Sequence, residues 1–147
     1  MRYFEDFIEG EEIELGSVSV SQEEIIEFAS RFDPKPFHVD PLAAANSHWE
    51  GLIASGWHTA SLFMRLYVDT VLNDSSSFVS PGIEELKWLR PVRPGDVLSG
   101  RFKVLECRPS GSRSDLGIVK SSSRVYNQRG EELMSLKASN FFFRRPE

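Results

Sequence analysis

An α+β fold, with an antiparallel sheet wrapped around a long central helix, is predicted from three features of this 147-residue chain. Ile25, Phe28, Ala29 and Phe32 recur at i, i+3, i+4 and i+7, which is one face of a helix. The stretch SGWHTASLFMRLYVDTVL is apolar almost all round, from Trp57 to Leu72, and predicts a helix buried on most sides. Beyond it the period changes. Met134, Leu136 and Ala138 alternate with Ser135 and Lys137, a strand pattern that a helix would not produce.

The elements follow in order. Glu14 to Val20 reads as a first strand, carried by Leu15, Val18 and Val20. Ser21 and Glu24 then form a capping-box pattern that starts the first helix. Pro34 disfavours helical geometry at Asp33, so this helix ends there, with a carboxylate at its negative end. Prolines at 34, 36 and 41 predict a stiff, non-helical connection, and residues 41–55 read as irregular or briefly helical. The central helix begins near Ser55 or Gly56. Ser75, Ser76 and Ser77 read as a loop. The strand candidates are Ile83–Leu89, Val97–Arg108, Ile118–Asn127 and Glu132–Phe143, with turn signals at RPGD (93–96) and NQRG (127–130). Successive strands on short turns pair antiparallel. An open sheet leaves exposed edges, which homodimerisation commonly covers.

Composition narrows the function. Residues 1–147 suit one domain with a real core, and 40% hydrophobic content rejects wholesale disorder. A net charge of −5 argues against a general nucleic-acid surface. The apolar stretch 57–72 is shorter than the ~20 residues a membrane span needs, and His58, Arg65 and Asp69 interrupt it. The N-terminus lacks an apolar signal core, and Cys107 is the only cysteine. A cytoplasmic protein without membrane association is the expectation.

Asp33 and His38 stand five positions apart, at most ~16–18 Å if extended, and meet only if the segment turns back. A carboxylate and an imidazole sharing one water can take and give protons. A capping aspartate beside a surface histidine fits the same spacing, and spacing alone favours that reading. Gly56 at the start of a helix offers a free N–H that could polarise a thioester carbonyl; taken alone, the glycine is better explained by a tight loop-to-helix entry. His38, His48 and His58 have ten-residue gaps that match no zinc spacing, so no metal is expected. His48 reads as a loop residue and His58 as a packing residue. Asp40 reads as solvated, or as orienting His38 if 38–40 is extended. Arg90, Arg93, Arg108, Arg113 and Arg124 are surface charges, any of which could reach ligand phosphates.

Together, FASRFDPKPFHVDPLAA, GLIASGWHTASLFMRL and LRPVRPGDVLSG resemble the MaoC-like dehydratases, the hot-dog-fold group that contains the (R)-specific enoyl-CoA hydratases. The resemblance spans nearly the whole chain. It implies a sheet-wrapped helix, a homodimer or dimer of dimers, and an acyl-CoA substrate with no cofactor. It places the catalytic aspartate at Asp33, the histidine at His38 and the thioester-binding amide at Gly56. The reaction implied is addition of water to a trans-2-enoyl thioester, or its loss from an (R)-3-hydroxyacyl thioester. A hot-dog thioesterase and a non-catalytic acyl-CoA-binding subunit are the alternatives. Two departures stand out. Lys35-Pro36 replaces the common Asn-Pro, and Ile53-Ala54-Ser55-Gly56 replaces Ile-Ala-His-Gly. The acyl group is left open.

Overall fold

The computed structural model describes residues 1–147. Strand β1 (Glu12–Ser19) leads into helix α1 (Gln22–Phe32), and the short helices α2 (Pro36–Val39) and α3 (Pro41–Ala45) follow. The central helix α4 (Gly56–Tyr67) continues through a π-helical turn at Val68–Leu72. Strands β2 (Ser77–Trp88), β3 (Val97–Pro109), β4 (Leu116–Tyr126) and β5 (Glu132–Phe143) complete the chain. The five strands form one sheet in the order β1-β3-β4-β5-β2. Every pairing is antiparallel.

Local chemistry explains most boundaries. Ser21 Oγ accepts from the Glu24 N–H at 3.1 Å, and Glu24 Oε1 accepts from the Ser21 N–H at 3.2 Å, the reciprocal cap that the sequence predicts. Gly16, at φ 85°, sits where the β1–β3 register shifts between Glu14 and Ser17. A glycine tolerates that left-handed backbone, and the bulge keeps Leu15 in the core. The α4 face that meets the sheet carries Phe63, Leu66 and Tyr67, all buried. Tyr67 stacks between Phe63 and Phe102, with ring centroids 5.8 and 5.1 Å away. This aromatic layer ties α4 to β3.

Several expectations need correction. Pro36 and Pro41 do not exclude helix; each is the first residue of a one-turn helix, where the missing N–H has no intrahelical partner to lose. Strand β2 starts at Ser77, six residues before the expected Ile83, so Ser77 belongs to the sheet rather than a loop. Pro81 disguises it. As an edge strand of the sheet, β2 tolerates a proline and several register shifts. RPGD does turn, with Asp96 accepting from the Arg93 N–H at 2.9 Å, but it joins no hairpin. It lies on the crossover between β2 and β3, which occupy distant positions in the sheet. Finally, α4 is open on one flank, where Trp57 is 58% and Met64 48% exposed. Ile83 of β2 lines the same cavity as Trp57 and Met64, and Phe78, Val79 and Ile83 of β2 are exposed.

Candidate active site

The Asp33–His38 segment turns back as a compact double bend. Asp33 ends α1, its N–H bonded to the Ala29 carbonyl at 2.8 Å. Its own carbonyl accepts from the Lys35 N–H at 2.9 Å, and the Lys35 carbonyl accepts from the His38 N–H at 2.9 Å. Helix α2 then carries His38 into the interior, where the residue is 4% exposed. His38 Nε2 and Asp33 Oδ2 stand 3.4 Å apart. The two residues that the sequence singled out therefore meet.

The imidazole is oriented from its other side. His38 Nδ1 lies 2.7 Å from the carbonyl oxygen of Ile53. A carbonyl only accepts, so Nδ1 carries a proton and Nε2 is the nitrogen that exchanges one. The Ile53 N–H donates to the Phe37 carbonyl at 3.1 Å, so the backbone of residue 53 clamps α2 at two points. The Ala54 N–H reaches the Val92 carbonyl at 2.9 Å and stitches the same segment to the β2–β3 crossover.

Two residues not assigned a site role from sequence join the carboxylate. Ser55, fully buried, donates from Oγ to Asp33 Oδ2 at 2.8 Å and accepts from the Trp57 N–H at 3.3 Å as the N-cap of α4. The Lys35 ammonium lies 3.6 Å from Asp33 Oδ1. Both departures from the family pattern thus touch one side chain. They also resolve the unfavourable placement of a carboxylate at the end of α1. Through Ser55 it sits beside the positive N-terminus of α4.

Gly56 is the first residue of α4, and its N–H makes no hydrogen bond within the chain. A cleft of about 330 Å³ opens beside it, with His38, Lys35, Trp49, Trp88 and Arg90 in its walls. Asp33 adjoins the cleft: its two carboxylate oxygens lie 3.4 Å from His38 Nε2 and 3.6 Å from Lys35 Nζ, both in the cleft walls, and its side chain keeps 16% exposure. The Trp88 indole packs directly on Gly56: a Cβ there would lie 2.5 Å from Trp88 Cε2. Nothing in the sequence connects these two residues, which is why Trp88 was missed.

Other candidates are dispersed. Asp40 does not orient His38; it is exposed to solvent, the reading the sequence favours. Residues 36–39 are helical rather than extended, and Asp40 caps α3 by accepting from the N–H groups of Leu42 and Ala43. His48 is exposed on a turn beside Trp49. No group of three or more His, Cys, Asp or Glu side chains comes together. Arg90, Arg108, Arg113 and Arg124 pair with Glu131, Glu106, Asp115 and Glu132. Only Arg90 and Lys35 bring positive charge to the cleft.

His58 is buried on α4, stacked on Phe28 at 4.7 Å. Burial pushes its pKa below the ordinary 6.5, against a weaker upward pull from Glu24. The unfolded chain therefore binds this proton more readily than the folded one, and stability falls as pH drops below about 6.5. Denaturant melts at pH 7.5 and 5.5 should show wild type losing stability on acidification, with a smaller loss in His58→Gln. An identical loss in both would refute the assignment.

Fold and site together define a hot-dog protein with a paired carboxylate and imidazole at the start of its central helix. The chain belongs to the family of the MaoC like domain, whose model matches residues 7–126. It is similar over 99% of both chains to a MaoC-like dehydratase from Rhodospirillum rubrum, with 42% identity and a TM-score of 0.92. The (R)-hydratase from A. caviae involved in PHA biosynthesis is 26% identical, with a TM-score of 0.74 over 95% of this chain and 98% of that one. Protein YdeM of Bacillus subtilis, which has no described function, is 30% identical over 125 residues, 85% of this chain and 87% of YdeM. These relatives place the chain broadly among hydratases and dehydratases. No helix is long and apolar enough to cross a membrane.

Proposed function

We propose that this chain is a hydro-lyase acting on acyl thioesters, with coenzyme A the favoured carrier, that adds water to a trans-2-enoyl group or removes it from an (R)-3-hydroxyacyl group. The observation that carries this reading is the 3.4 Å approach of Asp33 Oδ2 to His38 Nε2 beside an unpaired Gly56 N–H. The Gly56 amide binds the thioester oxygen and stabilises the enolate that forms on it. Asp33 takes a proton from water as the water oxygen bonds to C3. His38, as imidazolium, gives its Nε2 proton to C2, and a proton passing from Asp33 to His38 restores the pair. One water is consumed and no redox partner is needed. Lys35 and Arg90 give the cleft positive charge for the phosphates of the carrier.

Purified protein should bleach the absorbance of enoyl-CoA substrates without releasing free thiol. Thiol release would make it a thioesterase, and binding without either reaction would make it a non-catalytic acyl-CoA-binding subunit. Ser55→Ala should lower kcat by about tenfold to a hundredfold, the range expected for a hydrogen bond to a charged group. The measurement is kcat beside the melting temperature, with Ser55→Thr as the control: keeping the hydroxyl should keep most of the activity. A lower melting temperature with unchanged kcat in Ser55→Ala would reduce Ser55 to a helix cap, worth roughly 1 kcal/mol.

The assembly proposed is a homodimer. β2 is a twelve-residue edge strand with Phe78, Val79 and Ile83 exposed, the kind of edge that natural proteins cover. Light scattering at micromolar concentration should give at least twice the chain mass; a monomer would contradict this.

A further inference from the structure

A second cavity of about 250 Å³ lies between α4 and the sheet. It borders the cleft across a tryptophan pair. Trp57 lines the cavity and Trp88 lines the cleft, their rings edge to face with centroids 5.1 Å apart. Its walls are largely apolar, with Ala60, Phe63, Met64 and Leu136 among them. An unbranched hydrocarbon chain would ask for nothing more.

Ser61, Ser80, Ser121 and Asn140 add polar groups to the wall, and two further hydroxyls stand out by having no partner. Tyr67 and Ser123 both line the cavity, are 4% and 1% exposed, and neither side-chain oxygen has a hydrogen-bond partner in the protein. Nearly all buried polar side chains are paired, because an unmade hydrogen bond is destabilising. Phenylalanine and alanine would fill the same space without that loss. Ser121 shows the contrast, since its Oγ in the same cavity is spent on the Ala138 carbonyl. Burial also pushes the Tyr67 phenol up, so it stays protonated and able to donate. No lysine, arginine or histidine lines the cavity. A carboxylate entering it would lose water and find no counter-charge.

We infer that this cavity binds an acyl group bearing a neutral oxygen, a ketone, hydroxyl or ether, which accepts hydrogen bonds from Tyr67 and Ser123. The inference rests on the reading of the chain as an acyl-thioester enzyme and adds the class of acyl group to it. Straight saturated hydrocarbon tails are then the poorer ligands. A site built to hydrogen-bond a substrate oxygen discriminates against the analogue that lacks it.

The test is calorimetric binding to the intact protein in its native assembly. The probes are octanoyl-CoA and its 4-, 5-, 6- and 7-oxo derivatives, none of which can be hydrated. At least one oxo isomer should bind about tenfold more tightly than octanoyl-CoA, as one net hydrogen bond implies. That ratio should fall towards one in Tyr67→Phe and in Ser123→Ala, two replacements that keep the fold's shape. Equal affinity for all five thioesters in wild type overturns the inference, as does a preference that survives both substitutions. If no thioester binds, the acyl-thioester reading falls with it. If an oxo isomer is preferred but enoyl thioesters are not hydrated, the cavity assignment stands and only the proposed reaction is lost.

Discussion

Asp33→Asn should reduce enoyl-thioester turnover by about two to four orders of magnitude, the span associated with loss of a positioned acid–base group. Asparagine has nearly the same shape and can keep an interaction with Ser55, whose Oγ lies 2.8 Å from Asp33 Oδ2. It cannot take a proton from water. The fold should survive, because the negative end of α1 and the positive N-terminus of α4 act on this carboxylate in opposite senses, each by roughly 0.3–1 kcal/mol. Neutralising it therefore changes little through the helix dipoles and forfeits only the 3.6 Å contact with the largely exposed Lys35 ammonium, a pair that contributes little. The melting temperature should therefore move by only a few degrees. Steady-state kinetics and a thermal melt on one preparation decide the matter. Undiminished turnover would remove Asp33 from the chemistry, and a collapsed melt would make it a structural residue.

Gly56→Ala should be the second most damaging change, at about a hundredfold in kcat/KM, the penalty associated with an ångström of misplacement. The added methyl would lie 2.5 to 2.9 Å from three indole atoms of Trp88, inside any allowed contact. Trp88 is 44% exposed and can swing outward, so the stability cost should stay near the low end of the ~1–3 kcal/mol typical of overpacking. The wall of the cleft moves with it. Alanine keeps the backbone N–H, which allows the cause to be isolated. In Gly56→Ala/Trp88→Ala the clash is gone and the amide remains, so activity should recover relative to the single variant. A single variant as active as wild type would show that Trp88 adapts without disturbing the site.

How far the sequence revealed this molecule depends on how local each signal is. The cap at Ser21, the end of α1 at Pro34 and the alternation around Leu136 are written in adjacent residues, and the structure reproduces them. The neighbour of β2 is not. Its pairing with β5 spans about fifty residues of chain, and Pro81 and Gly82 make its first half look like loop. Periodicity also misjudged α4, because an apolar wheel reports which residues avoid water but not which partner covers them; Trp57 and Met64 remain exposed in the single chain. At the site, Asp33, His38 and Gly56 were legible as a motif. Ser55 was visible only as a cap, and Lys35 only as a departure. Their shared target is set by a 22-residue and a two-residue separation that only the folded chain relates. Trp88 gave no signal at all, since a tryptophan near a strand end carries no address.

The clamp on His38 is made by the peptide group of residue 53, through its N–H to Phe37 and its carbonyl to the imidazole. Every amino acid except proline supplies those same two atoms. An alanine scan would therefore report Ile53 as a buried packing position and pass over the one point that fixes the imidazole's tautomer. Only a change to the main chain itself, such as Ile53→Pro or an ester in place of the amide, would expose how much of this site is built from atoms that side-chain mutagenesis never touches.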